Sequence, residues 1–418
     1  MFREAKPGAV KALALLLGIN LFNYIDRQVL AGLEPDIRAT FFRANDANAM
    51  AATGWLGTAF LFTYMLSAPA LGWLSDRFSR WVIIGSAVIF WSVASGMSGL
   101  AATFTILLLT RVFVGIGEGG YGPAAPTLLA DLFPIEIRGR ILAIFCAAIP
   151  VGSAFGYVVA ALIGPHFGWR VAFLAAAVPG LILGLFCFRQ RDPRATGGAV
   201  PDKYRATRAD YLRLWRTPSY VLNTLAQTAM TFAIGGLGFW VAAYLRYRGQ
   251  PDSGKLIFGG ITVVAGLCST LLGGSVADRL RNRLPGSYFL VSGIGMLLAF
   301  PFFVVSLYVP FPLSWYFMAV AIFFIFLNTG PANTALANVS LPKVRGTAFA
   351  INILIIHLLG DAAAFPAIGF IAGHTNLTTA FLVVSGMMLL AGVFWLIAAK
   401  FLADDTAAVE DAAGERAV

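Results

Sequence analysis

The chain has 418 residues, of which 59% are hydrophobic and only 12% charged, and its mean hydropathy is +0.79. Soluble domains carry roughly a quarter of their residues as charges, so this composition excludes a soluble enzyme and points to a polytopic, all-α membrane protein. The net charge of +10 at pH 7 would suit a nucleic-acid partner, but the basic residues fall in loops of one parity, which is the signature of membrane orientation instead.

After a short basic lead, Met1 to Lys11, the first apolar run is long enough to span and has no small-residue cleavage site, so it is expected to stay as a helix. Runs of membrane-crossing length are predicted at residues 9–33, 48–74, 81–101, 104–131, 139–164 and 168–188. Six more are predicted at 219–245, 254–277, 286–308, 312–338, 345–372 and 377–401. Between the two sets, residues 189–217 are polar, basic and interrupted by Pro193, Gly197, Gly198 and Pro201, as a linker would be. The expected organisation is therefore a six-helix bundle over 1–188, a cytoplasmic linker, a second bundle over 218–403, and an acidic tail over 404–418 expected to be disordered. The termini and even-numbered loops hold twenty-two Lys and Arg residues against six in the odd-numbered loops, which predicts both termini in the cytoplasm. Cys146, Cys187 and Cys268 each lie in an apolar run with no metal-ligand spacing, so buried thiols are expected.

The two halves echo each other. Gly72-Trp-Leu-Ser-Asp76-Arg77-Phe-Ser-Arg80 after span 2 recurs as Gly274-Ser-Val-Ala-Asp278-Arg279 after span 8, an offset of 202. Pro134 to Arg138-Gly139 before span 5 matches Pro342 to Arg345-Gly346 before span 11, an offset of 207. Parallel six-helix repeats with a site between them are the build of alternating-access carriers. The Gly-x-x-x-Asp-Arg-x-x-Arg loop and its weaker copy resemble the signature of the major facilitator superfamily over nearly the whole chain. That resemblance implies two pseudo-symmetric bundles and a cytoplasmic gate drawn from Gly72, Asp76, Arg77, Arg80, Asp131 and Arg138, with Asp278 and Arg279 in the second half. It also implies that Arg77 pairs with Asp131.

Charges inside the spans carry the chemistry, because ionisable groups at membrane depth are rare and mark transport paths or proton relays. Span 1 places Asn20, Asn23, Tyr24 and Arg27 at helical spacings of three and four, one polar stripe with Asp26 at its shoulder. Span 4 adds Arg111 and Glu118, seven apart and so on one face. The four charges sum to zero, and protonating either acid strands an arginine, which couples protonation to local structure. His357 and Asp361 lie one turn apart in span 11 and are candidates to share a proton. The glycines from Gly115 to Gly122 match a dinucleotide fingerprint in form only, since no strand precedes them; their expected role is to let a neighbouring helix approach and to let span 4 flex. Spans 7 and 10 offer no core charge, only polar groups such as Asn223, Gln227, Asn328 and Asn333, so a central cavity would be charged on one wall and mostly apolar on the other.

Within the superfamily, four segments resemble the Spinster lipid transporters: Asn23-Tyr24-Ile-Asp26-Arg27, Arg111 through Gly115-Ile-Gly-Glu118-Gly-Gly-Tyr121 to Asp131, Pro150-Val-Gly152-Ser153-Ala-Phe-Gly156-Tyr157, and His357-Leu-Leu-Gly-Asp361. The departures are Gly119 and Gly120 where Ala-Ser is common, and Phe365 where Ser is common. The resemblance implies a proton-coupled carrier of lysolipids or sphingoid lipids. Asp26, Glu118, His357 and Asp361 are then expected to handle protons, and Arg27, Arg111, Asn23, Tyr24, Tyr121, Ser153, Tyr157, Asn328 and Asn333 to meet the substrate. The chain also resembles the anion:cation symporters, which share Asn-Tyr-x-Asp-Arg and an Arg seven residues before an acid, and which imply a sugar acid or other organic anion instead. Neither implies a cofactor or metal, a nucleic-acid partner or an enzyme, and the sequence has no HExxH or His/Cys cluster. A monomer in a bacterial inner membrane is expected, with protons, the bilayer and a small amphiphilic or anionic substrate as its partners.

Overall fold

In hydrocarbon every backbone N–H and C=O must be satisfied within the chain, so apolar runs of this length become helices. The computed structural model describes residues 6–133, 135–193, 208–341 and 344–414, and no strand occurs among them. Among the described residues, twelve helical stretches are long and apolar enough to cross a membrane. The first six are α1 (Ala9–Phe41), α2 (Ala49–Arg77), α3 (Arg80–Gly99), the pair α4 (Phe104–Glu118) and α5 (Tyr121–Leu132), α6 (Ile135–Phe167) and α7 (Trp169–Cys187). After the short α8 (Arg208–Arg216) come α9 (Pro218–Tyr247), α10 (Ser253–Arg281), α11 (Ser287–Tyr308) and the pair α12 (Leu313–Phe326) and α13 (Thr329–Asn338). The eleventh stretch is α14 (Arg345–Ile355), a π turn over Ile356–Asp361 and α15 (Ala362–His374); α16 (Leu377–Ala398) and α17 (Leu402–Gly414) finish the chain.

Two departures from expectation have plain causes. α1 runs eight residues past the predicted end at 33 and carries Pro35 within it, because Pro removes only one ladder bond and neighbouring helices compensate. The acidic tail, expected to be disordered, forms α17 as far as Gly414. Its helix is held by tertiary contacts: the Asp405 carboxylate accepts hydrogen bonds from the backbone N–H (2.9 Å) and the hydroxyl of Ser219 at the start of α9. Arg213 of α8 also donates to the carbonyl of Ala408 at 2.8 Å. The thiols differ too, since Cys187 is buried but Cys146 and Cys268 are exposed on their helices.

By compactness the chain forms two units, one of residues 1–198, 239–260 and 365–374, the other of 199–238, 261–364 and 375–418. In the first, α6 lies along α1, with Gly152 and Gly156 facing the carbonyls of Leu21 and Ile25 so closely that a β-carbon would collide. The same unit joins the ends of several stretches: Arg246 pairs with Asp36 at 2.8 Å, Trp240 donates to the carbonyl of Phe365 at 2.9 Å, and the Phe365 ring stacks on Phe239 at 4.7 Å. In the second unit, a buried polar core ties α9 to its neighbours. Asn223 accepts from the Trp395 indole at 2.8 Å and donates to the carbonyl of Ala332 at 3.1 Å, while Asn352 donates to Thr224 at 3.1 Å.

Candidate functional site

The polar stripe of α1 faces a cavity of about 150 Å³ in the first unit, lined by Asn20, Asn23, Tyr24, Arg27, Tyr64, Glu118, Tyr121, Gly122, Phe145 and Ile149. At its centre Arg27 Nε donates to Glu118 Oε2 at 2.8 Å, and Arg27 Nη2 lies 2.6 Å from the same oxygen. The Arg27 side chain keeps 23% exposure whereas that of Glu118 has none. Three rings surround the guanidinium, those of Phe60 at 4.8 Å, Tyr24 at 5.1 Å and Tyr64 at 5.2 Å from its central carbon. Each offers a negative face to the cation. Asn20 donates to the carbonyl of Phe145 at 2.9 Å, and Tyr121 donates to the carbonyl of Leu16 at 2.7 Å, which fixes α5 and α6 against the stripe.

Glu118 owes its place to a break in the fourth stretch. α4 ends at Glu118 and α5 restarts at Tyr121, with Gly119 and Gly120 turning between them. Gly115 lets α2 approach: a β-carbon there would overlap the carbonyl of Phe60 and the Thr63 hydroxyl, and Thr63 bonds to the carbonyl of Val112 at 3.0 Å. The glycines therefore bring the α2 rings and the Glu118 carboxylate to the same spot.

Asp26, at the shoulder of the stripe, turns away from the cavity. It accepts a hydrogen bond from Ser95 of α3. Arg111 is also buried in the first unit, not on the cavity; it donates to Ser98, lies 5.1 Å from the Phe173 ring, and Ser98 shares a 2.7 Å bond with Thr110. The four expected charges thus separate into a cavity pair, Arg27 and Glu118, and an inner cluster around Asp26 and Arg111. One oxygen of Asp26 and the Nε of Arg111 have no hydrogen-bond partner there.

The other expected site residues are not among those lining this cavity. Tyr157 is buried edge-on to Phe258 at 5.6 Å, and Ser153 is half-buried on α6. In the second unit Asn328 donates to the carbonyl of Ile325 within its own stretch, and Asn333, which is exposed, does likewise to Thr329 at 2.9 Å. His357 Nδ1 lies 2.7 Å from Asp361 Oδ2, both on the π turn. There Gly235 of α9 makes room for the carboxylate, since a β-carbon would occupy its place. Of the gate residues, Asp131 pairs with Arg80 at 2.7 Å, and Arg80 also binds Asp192 at 2.8 Å. Gly72 meets Pro123, Asp278 accepts from Tyr288 at 2.8 Å, and Arg279 is exposed. The side chains of Asp76, Arg77 and Arg138 lie outside the described residues, and with them the expected Arg77–Asp131 pair. No group of metal-ligating side chains occurs among the described residues.

Phe60 and Tyr64 were not singled out in the sequence; their spacing of four marks one helix face, a signal lost among 35 Phe and 12 Tyr. Glu34 was missed as well. It is buried on α1, accepts from Thr53 at 2.7 Å and from Arg38 at 3.0 Å, and has its second oxygen unpartnered.

The sequence profile of the Major Facilitator Superfamily matches residues 16–363. The chain is also 36% identical to protein spinster homolog 1 of Homo sapiens over 390 residues, 86% of this chain and 72% of that protein. The chain belongs to the Spinster branch of this superfamily. It is 32% identical to the sphingosine-1-phosphate transporter SPNS2 of Xenopus tropicalis, over 96% of this chain and 83% of that one. In fold it matches a bacterial homolog of the human lysosomal transporter Spinster in its inward-facing, unoccupied conformation, with a TM-score of 0.80, 22% identity and 97% and 98% of the two chains covered. A D-xylose-proton symporter also matches, with a TM-score of 0.73, 20% identity and 93% and 96% coverage. This Spinster-family chain is a multi-pass integral membrane transporter of the major facilitator type, and its relatives are transporters.

Proposed function

We propose that this Spinster-family chain is a secondary active carrier that moves a lysolipid or sphingoid-type amphiphile by alternating access, coupled to protons. The observation that carries the proposal is the Arg27–Glu118 pair on a cavity wall, bonded at 2.6 Å with one partner still 23% exposed. A proton on Glu118 weakens its hold on Arg27, and the freed guanidinium then binds an anionic head group; return of the pair expels it. Asp26, with Arg111 behind it, adds a second acid that responds to protons, and the His357–Asp361 pair a third. Support for the lipid comes from the SPNS2 relative, a sphingosine-1-phosphate transporter. The carrier would work as a monomer in a bacterial inner membrane, with both termini in the cytoplasm; the loop charges support that orientation of the termini.

The cavity itself favours a second function, symport of a small organic anion such as a sugar acid, because about 150 Å³ of mainly polar lining holds a head group or a small solute and not an acyl chain. Reconstituted vesicles offered lysolipid and sugar acid separate the two. Proton-driven movement of lysolipid is expected. Uptake of the sugar acid alone would reverse the order.

A further inference from the structure

Glu34 has no part in the mechanism proposed above, yet it is an acid taken wholly out of water, 1% exposed. It lies about 12 Å further along α1 than Asp26, towards the end of the helix opposite the amino terminus. Its Oε1 accepts from Thr53 of α2 at 2.7 Å and from Arg38 at 3.0 Å, whereas Oε2 has no hydrogen-bond partner. A buried carboxylate with one oxygen unsatisfied is costly, and a proton on Oε2 removes the charge that makes it so.

The charged groups acting on Glu34 are Arg38 on its own helix and Arg246 at the end of α9, and α2 offers only the Thr53 hydroxyl. On the other side of α1, α6 sets Ala160 and Tyr157 against Gly32. Arg246 in turn pairs with Asp36 at 2.8 Å. Glu34 and Asp36 thus balance Arg38 and Arg246, and α9 is tied to α1 within the first unit. The Asp36–Arg246 pair is 33% and 44% exposed on its two sides, and an ion pair so open to water holds little by itself. The Glu34 charge is out of water and is screened far less. How firmly Arg246 is held therefore depends on Glu34.

The same end is shut by close packing. Gly369 and Gly373 of α15 lie so near the carbonyls of Met50 and Ala47 that a β-carbon would collide, and Met50 is buried beneath them.

We propose that Glu34 is a proton-binding site that controls closure of this end of the first unit. As a carboxylate it holds Arg246, and with it α9, against α1. As a neutral acid it leaves Arg38 and Arg246 with Asp36 as their single counter-charge, and the end opens. The step adds one proton from water to Oε2 and later returns it. This assignment rests on the alternating-access carrier proposed above, in which the two ends open in turn.

The test is the rate at which a maleimide labels Met50→Cys in the full-length protein in nanodiscs, with Cys146→Ala, Cys187→Ala and Cys268→Ala removing the native thiols. After correction for the thiolate fraction, the rate should rise roughly three- to tenfold between about pH 8 and about pH 5. Glu34→Gln should label fast at every pH. Arg246→Gln should label fast as well, while Thr53→Val, which removes a hydrogen bond and no charge, should keep the pH response. Infrared difference spectra should show the carbonyl band of a protonated carboxylic acid appearing on acidification, lost in Glu34→Gln. A wild-type pH response in Glu34→Gln, slow labelling of Arg246→Gln, or an infrared band unchanged by Glu34→Gln overturns the site. Lysolipid carriage that persists in that case leaves the carrier function standing. Absence of carriage with the Glu34 response intact removes the carrier function and keeps the proton site. Should Glu34→Gln fail to fold, the Arg246→Gln rate still decides, because that side chain is half-exposed and its loss leaves no buried charge.

Discussion

Removing the charge of Glu118 while keeping its shape, by Glu118→Gln, probes the site most directly. Two unit charges 2.6 Å apart attract by about 6 kcal/mol at an effective dielectric of roughly 20. Most of that is consumed by taking the fully buried carboxylate out of water. What an experiment sees is the loss of one partner from a buried pair, typically about 3–5 kcal/mol. Here Arg27 keeps 23% exposure and the faces of three rings, so some of its charge stays solvated and the expected cost falls to about 2–3 kcal/mol. The assay is reversible unfolding in mixed micelles, run as a double-mutant cycle with Arg27→Gln. Each single variant should lose that amount and the double variant should lose little more, giving a coupling energy of about 2 kcal/mol. Transport by Glu118→Gln should also lose the part of its pH profile that this carboxylate supplies. Additive losses, with coupling below about 0.5 kcal/mol, would show that the pair is a surface contact without energetic weight and refute the reasoning.

Four further variants test contacts within the second unit. Gly235→Ala puts a β-carbon where the Asp361 carboxylate sits and should cost about 1 kcal/mol and impair transport, whereas Gly238→Ala, which meets open space, should gain about 0.5 kcal/mol; equal effects in a thermal melt would remove the cradle from the account. Asp405→Ala takes the acceptor from Ser219 at the start of α9, and a destabilisation of about 1–2 kcal/mol is expected from chemical denaturation, with no change if α17 is undocked. Trp395→Phe leaves Asn223 without its indole donor and should lower stability by about 1–2 kcal/mol, read as a shifted unfolding midpoint.

Much of the site was written in the spacing of α1. Asn20, Asn23, Tyr24 and Arg27 share one face because steps of three and four return to the same side of a helix, and all four line the cavity. Asp26, one step of about 100° from Arg27, points elsewhere for the same reason, to Ser95. Span lengths and the internal repeat were equally visible, since hydropathy and loop motifs are local properties. What escaped depends on contacts between distant segments. Phe60 and Tyr64 look like any lipid-facing aromatics until α4 glycines draw α2 in. The acidic tail has the composition of a disordered segment, and only the partners waiting at Ser219 and Arg213 make it a helix. That Asp131 finds Arg80 is a matter of side-chain reach, which a motif does not encode.

The π turn at Ile356–Asp361 has a mechanical side. A π turn holds one residue more than the α-turn it interrupts, so it stores slack in a helix that is otherwise taut. Drawing that residue back into α geometry would turn the chain on one side of Ile356–Asp361 against the other by about 100° and shift it by about 1.5 Å, without breaking the helix into two pieces. The eleventh stretch is therefore a shaft with a slip joint, and the joint is where His357 holds Asp361.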